Sequence, residues 1–168
     1  MPEDEVRALP DPPRMDIDNM KTVHEYKTYK QGWMVRQWVN DSHDGVLSRA
    51  QANIPAFVRQ WLQRHIPFRY HVFSLQVNWY EKTRKGLLLG EHWDSPLLLT
   101  DFVLLWALHG QHNLQFEQLQ HPFLIDENSA LLIRGHLFQR DGQWGKHRAV
   151  PLGNSPTGTV IVRFNELR

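Results

Sequence analysis

A chain of 168 residues, 41% hydrophobic and 22% charged, is long enough for one domain with a real core. Its 19 Lys and Arg nearly balance 18 Asp and Glu, for a net charge of +1, so overall charge selects neither a nucleic acid nor a membrane surface. There is no cysteine, which excludes disulfides, thiolate metal sites and cysteine nucleophiles.

Residues 1–19 are acidic and carry Pro10, Pro12 and Pro13, which block regular structure. They are expected to form a disordered arm, followed by a single domain over 20–168. The arm has no apolar signal core, and no apolar run in the chain reaches membrane-spanning length. A cytoplasmic protein without membrane contact is the default expectation.

Trp33 to Val39 is rich in aromatic and branched residues and predicts a strand. A helix follows. Asn53 is its candidate N-cap, Pro55 is tolerated in the first turn, and Ile54, Phe57, Val58, Trp61 and Leu62 fall on one face before Pro67 stops it. Beyond Pro67 the chain predicts strands at His71 to Tyr80, Phe102 to Leu108, Asn113 to Glu117, Ala130 to Arg134, His147 to Leu152 and Thr159 to Phe164. Phe102 to Leu108 (FVLLWAL) is apolar on both faces and is expected to be covered on both sides. Many short strands after one helix predict a mainly β fold closed into a jelly roll or barrel.

Chemistry concentrates at Gly90-Glu91-His92-Trp93-Asp94-Ser95. On an extended segment residues two apart share a side, so His92 and Asp94 converge while Trp93 turns away. Two imidazoles and one carboxylate on one face of an ion leave open positions and suit non-haem Fe(II). The pair alone is a weak signal, because a histidine and an aspartate at a strand end are most often a surface pair. A second imidazole must come from a later strand. His147 is the first choice, with His136 a competitor in a connecting loop, and His109, His112 and His121 read as surface or hydrogen-bonded histidines.

On the last strand, Thr159, Ile161 and Arg163 share one face. An arginine there either snorkels to solvent or meets a buried anion with its planar fork. Asn78 and Tyr80 share a face of the strand before the metal pair and offer an amide and a phenol; the plain alternative is a tyrosine capping the core.

In their order these residues resemble the Fe(II)/2-oxoglutarate oxygenase superfamily, in particular the AlkB-like dealkylases and the TET and J-binding-protein hydroxylases. The resemblance runs from about Ser74 to the C-terminus. It implies a double-stranded β-helix, cupin-like in shape. It further implies Fe(II) on His92, Asp94 and His147, and 2-oxoglutarate as cosubstrate with O2, its far carboxylate on Arg163 with help from Asn78 and Tyr80. Two departures stand out. Thr157 occupies the place where AlkB-like proteins carry the first of two arginines, leaving Arg163 and the terminal Arg168, and the region before Asn78 is short.

The resemblance implies a C–H hydroxylation or an oxidative demethylation, with a DNA or RNA base as one substrate class and a small molecule, amino acid or peptide as the other. For a base, Trp93 and Trp144 are the candidate stacking slot, and Lys82, Arg84 and Lys85 the candidate phosphate contacts. Two other classes remain: a cupin-like metalloenzyme that uses no 2-oxo acid, and a non-enzymatic binding module with structural His and Asp. Metal content and dependence on Arg163 separate them.

Overall fold

In β5 (Phe102–His109) odd and even residues are both apolar, and each set finds its own core. Phe102, Leu104 and Trp106 face one cluster, while Val103, Leu105 and Ala107 face another. The strand is therefore a wall between two hydrophobic layers, as its pattern predicts. Its neighbours repeat the arrangement. In β8 (Ser129–Arg134), Ala130 and Leu132 point outward and Leu131 and Ile133 inward. In β10 (Thr157–Glu166), Val160, Val162 and Phe164 point outward and Ile161 inward.

The computed structural model describes residues 5–14, 24–30, 33–41, 54–82, 92–153 and 157–168. The remaining elements are β1 (Val6–Pro10), β2 (His24–Lys30), β3 (Trp33–Asp41), α1 (Ala56–His65), β4 (Tyr70–Lys82), β6 (His112–Phe116), β7 (Phe123–Ile125) and β9 (His147–Pro151). They form a seven-stranded sheet in the order β1-β8-β5-β10-β4-β3-β2 and a three-stranded sheet in the order β7-β6-β9. Every strand pairing is antiparallel. The inner layer, with Leu114, Phe116, Ile125, Leu137, Phe138 and Trp144, fills the space between the two sheets. The outer layer lies under α1, whose Val58, Trp61 and Leu62 are buried against the large sheet.

Helix α1 begins with Pro55 in the N-cap position and without a side-chain cap. Asn53, the expected cap, lies outside the described residues. The helix ends where the Ile66 N–H meets Leu62 O at 2.8 Å, one residue before Pro67. No helix among the described residues is long and apolar enough to cross a membrane.

One expectation fails. Within the arm predicted to be disordered, Val6–Pro10 form β1 and pair with Ile133–Ser129 of β8. The prolines do not prevent this, because Pro10 sits at the end of an edge strand, where a missing N–H costs no ladder bond. Two indoles then hold the segment: Trp61 Nε1 donates to Pro10 O and Trp106 Nε1 to Pro13 O, each at 3.1 Å. Buried tryptophans need an acceptor, and the two proline carbonyls supply it.

Gly135 follows directly after β8. Its N–H bonds Asp101 O at 2.9 Å, and a Cβ there would overlap the Thr100 carbonyl, so only glycine lets β8 approach the start of β5.

Candidate metal centre

His92 and His147 face each other across a pair of backbone hydrogen bonds, His92 N to His147 O at 3.0 Å and His147 N to His92 O at 2.9 Å. The segment after β4 is thereby stitched to the first residue of β9, and the two imidazoles lie 4.5 Å apart between centroids. Asp94, two residues on, is fixed by its own N–H to Phe138 O at 2.9 Å. The ligand atoms of His92, Asp94 and His147 all lie within 4.8 Å of one another. Asp94 Oδ1 is 3.8 Å from His92 Nε2 and 3.3 Å from His147 Nε2.

The donor set fits a metal ion on chemical grounds. His147 Nδ1 is 2.7 Å from Gly145 O, and a carbonyl only accepts, so Nδ1 carries the proton. In the neutral ring Nε2 then presents a lone pair to the Asp94 carboxylate. Two acceptors at 3.3 Å repel unless a cation or a proton lies between them. Phe116 and Phe138 wall the His147 ring, with Phe138 edge-on at 4.9 Å, so the imidazole has little freedom to turn.

Behind the carboxylate stands Arg163, 5% exposed, with Nη2 3.5 Å from Asp94 Oδ2 and Nη1 donating to Gln76 Oε1 at 3.1 Å. Gln76 Nε2 in turn donates to Asn78 Oδ1 at 2.7 Å. This row is laid down by the alternation of β4 and β10: Arg163 pairs with Ser74, Ile161 with Gln76 and Thr159 with Asn78. Burial alone would raise the Asp94 pKa. Its neighbours His147 and Arg163, the second a fixed positive charge, outweigh burial and hold the group below the ordinary aspartate value. Burial depresses the Arg163 pKa, and the Asp94 charge counters part of that. Between the two sequence-level alternatives for Arg163, the buried anion is the one the geometry displays, and that anion is Asp94.

The other expected site residues separate. Asn78 is half-buried in the polar row. Tyr80 and Lys82 lie in β4, but their side chains are outside the description, and Arg84 and Lys85 are outside the described residues altogether. Trp93 is 38% exposed beside the ligands. Trp144 is a correction. It is 3% exposed in the inner core, 5.2 Å from Phe116 and 5.8 Å from Phe123 between centroids, so it offers no stacking face to a substrate. The competitor His136 is exposed and lies 3.9 Å from Glu5, away from the cluster. Gln76 went unnoticed in the sequence, although it shares a face with Asn78 two residues on.

His112, read as an ordinary histidine, is 1% exposed, with Nε2 2.7 Å from Thr159 Oγ1 across the two sheets. Burial pushes its pKa down from 6.5 to about 4. The ring stays neutral in the fold but takes a proton in the unfolded chain below its ordinary value. Stability is therefore flat above pH 6.5 and falls as pH drops from there toward 4, by about 3 kcal/mol in all. Urea titrations at pH 7 and pH 4.5 should show this loss, and the His112→Leu/Thr159→Val pair should flatten it. An equal pH dependence in the double variant would assign the acid sensitivity to other groups.

No protein-family model and no curated protein matches the sequence. Solved structures do. An oxidoreductase of the 2OG-Fe(II) oxygenase family from Burkholderia pseudomallei aligns with 86% of this chain and 76% of its own, at 9% identity and TM-score 0.50. The fold is a double-stranded β-helix. Similarity also extends to the viral collagen prolyl hydroxylase of Paramecium Bursaria Chlorella virus-1, solved with 2OG, over 67% of this chain and 75% of that one, at 13% identity and TM-score 0.46. JOX2, solved with 2OG, Fe and JA, is matched over 66% of this chain and 34% of its own, at 14% identity and TM-score 0.39. At such identities the likeness is one of fold. In this double-stranded β-helix the His-Asp-His cluster lies at the seam between the two sheets, where β9 meets the segment after β4.

Proposed function

We propose that the chain is an Fe(II)- and 2-oxoglutarate-dependent dioxygenase that hydroxylates a C–H bond. The observation that carries this reading is the convergence of His92, Asp94 and His147 on one ion-sized volume, with the buried Arg163 behind the carboxylate. Two neutral imidazoles and one carboxylate leave positions open on one side of an ion, which is the ligand set suited to non-haem Fe(II). Charge supports the same conclusion. A divalent ion, Asp94 and Arg163 together leave a site that a dianionic 2-oxo acid neutralises.

Within that reading His92, Asp94 and His147 hold the metal, Gly145 O fixes the His147 tautomer, and Arg163 holds Asp94 in its ionised form and place. Gln76 and Asn78 extend the polar row that would face the cosubstrate. When bound, Fe(II) with 2-oxoglutarate and O2 supplies C–H oxidation coupled to decarboxylation of the 2-oxo acid to succinate.

The finer reading is an AlkB- or TET-like action on a base in DNA or RNA, supported by the order of Asn78, Tyr80, His92, Asp94, His147 and Arg163. A second reading, a hydroxylase of a small molecule, amino acid or peptide, gains from two observations. Trp144 is buried, and the Trp93 ring is already met by two cations. Anaerobic loading with Fe(II), followed by 2-oxoglutarate and air, tests the reading. Succinate should form slowly without added substrate and faster with one member of a panel of oligonucleotides, peptides and amino acids. Bound iron with no succinate under any condition would leave a metalloprotein that uses no 2-oxo acid, and no bound metal would leave a binding module.

A further inference from the structure

We propose that Thr159, positioned by His112, receives the far carboxylate of 2-oxoglutarate, and that Arg163 serves only the metal end; this rests on the oxygenase reading above. The resemblance implies the opposite assignment, with Arg163 on the far carboxylate. Its surroundings speak against that. Nη2 faces Asp94 Oδ2 at 3.5 Å and Nη1 donates to Gln76 Oε1 at 3.1 Å, while Nε is buried without a hydrogen bond. A guanidinium grips a carboxylate with two adjacent N–H groups. Swinging this one onto a second carboxylate would take it off Asp94, whose buried charge it compensates.

The inward face of β10 is not sealed. Thr159, Ile161 and Arg163 keep 4%, 9% and 5% of their surface exposed, whereas Val160, Val162 and Phe164 on the other face keep 0%. Room therefore remains between the sheets along these three residues, and its lining runs polar, apolar, polar. Arg163 and Asp94 stand at one end, the Thr159 hydroxyl at the other, and Ile161 between them. 2-Oxoglutarate has the same order: a chelating 2-oxo carboxylate, two methylenes and a second carboxylate. The lengths agree as well. Arg163 bonds Gln76, which pairs with Ile161, so the guanidinium already lies one same-face position along the strand. Thr159 is the next such position, about 7 Å further.

The small sheet places the same pair at the same depth. On β6, His112 lies four residues from Phe116, which pairs with the ligand His147; on β10, Thr159 lies four residues from Arg163 beside Asp94. His112 Nε2 and Thr159 Oγ1 meet at 2.7 Å across the two sheets. With that nitrogen protonated, the imidazole donates to Oγ1 and leaves the hydroxyl hydrogen for an acceptor. His112, 1% exposed, is thus a positioning residue that aims the hydroxyl. Charge does not have to be matched at Thr159 itself. A divalent ion, Asp94 and Arg163 already leave the excess that a dianion cancels.

The test is calorimetric titration of the full chain, loaded with Zn(II), with 2-oxoglutarate and with 2-oxobutyrate, which keeps the chelating end and lacks the far carboxylate. Thr159→Val should weaken 2-oxoglutarate by about 10- to 100-fold and leave 2-oxobutyrate within about twofold. His112→Leu should split the two acids in the same direction, and Thr159→Ser, which keeps the hydroxyl, should recover most of the affinity. Arg163→Met should weaken both acids alike. Packing damage lowers both acids together, so the split reports the anchor. The wild type supplies a second readout. Its His112 imidazole resonance, identified by its absence in His112→Leu, should shift with 2-oxoglutarate and stay in place with 2-oxobutyrate. Unsplit affinities in Thr159→Val, or a loss confined to 2-oxoglutarate in Arg163→Met, overturn the proposal. Should the variants not fold, a His112 resonance indifferent to 2-oxoglutarate does so. A loaded wild type that binds neither acid overturns the oxygenase reading, and this inference with it.

Discussion

Asp94→Ala is expected to abolish metal binding and to destabilise the fold at the same time. The purified chain should take up about one divalent ion, and this variant, like His147→Ala and His92→Ala, should take up far less. The three differ in a second readout. Asp94 is the buried partner of a buried guanidinium, and removing one half of such a pair costs about 3–5 kcal/mol because the other half is left uncompensated. His92 is largely exposed at its side chain, so His92→Ala should lose metal with little loss of stability. His136→Ala should change neither, since His136 lies outside the cluster. Metal analysis with urea denaturation of the metal-free forms resolves all four. A full equivalent of metal retained by Asp94→Ala would remove the carboxylate from the ligand set, and metal lost only in His136→Ala would move the third ligand there.

Arg163→Met should be the other severe variant, and its damage should depend on metal. Without an ion, Asp94 loses the charge that keeps it ionised in a buried position, and stability should fall by about 3–5 kcal/mol. A bound divalent ion supplies positive charge on the other side of the carboxylate. Saturating Zn(II) should therefore restore much of the loss, by the ordinary linkage of binding to folding. Affinity for 2-oxoglutarate should drop by about 1.5–3 kcal/mol, the range for a hydrogen bond to a charged group. Comparison with 2-oxobutyrate, which has no far carboxylate, identifies the end of the cosubstrate that Arg163 serves. A loss confined to 2-oxoglutarate places the guanidinium at the far carboxylate. Equal losses place its action at the metal end, through Asp94. No loss for either acid removes Arg163 from the cosubstrate site.

What the sequence disclosed follows the reach of its periodicities. β5 and β8 are legible because their residues are apolar on both faces, and β10 because Val160, Val162 and Phe164 alternate with Ile161 and Arg163. Strand β1 is not legible. Val6–Pro10 is short and flanked by acids and prolines, and it is stabilised by β8, whose residues lie more than a hundred positions away. Strand β7, three residues long, is too brief to show any alternation. At the site, His92 and Asp94 could be paired by their spacing on an extended segment, but the third ligand depends on how the barrel closes. The sequence could rank His147 above His136 without showing the backbone bridge that sets His147 against His92. The tryptophans mark the limit most clearly. Trp144 sits in an irregular segment, where no period says which way a side chain points, and for Trp93 the alternation says only that it turns away from His92 and Asp94. One lies at the rim and the other in the core.

Strand β1 is also a guard. Its five residues occupy the flank of β8 that would otherwise present a row of open N–H and C=O groups, and it ends at Pro10, which cannot donate to a further strand. A shortened chain lacking 5–14 would expose that flank, together with the Trp61 and Trp106 indole donors that Pro10 and Pro13 now engage. Such a form would be prone to edge-to-edge self-association, so stronger self-association than that of the full chain would report a lost edge cover and not a damaged metal centre.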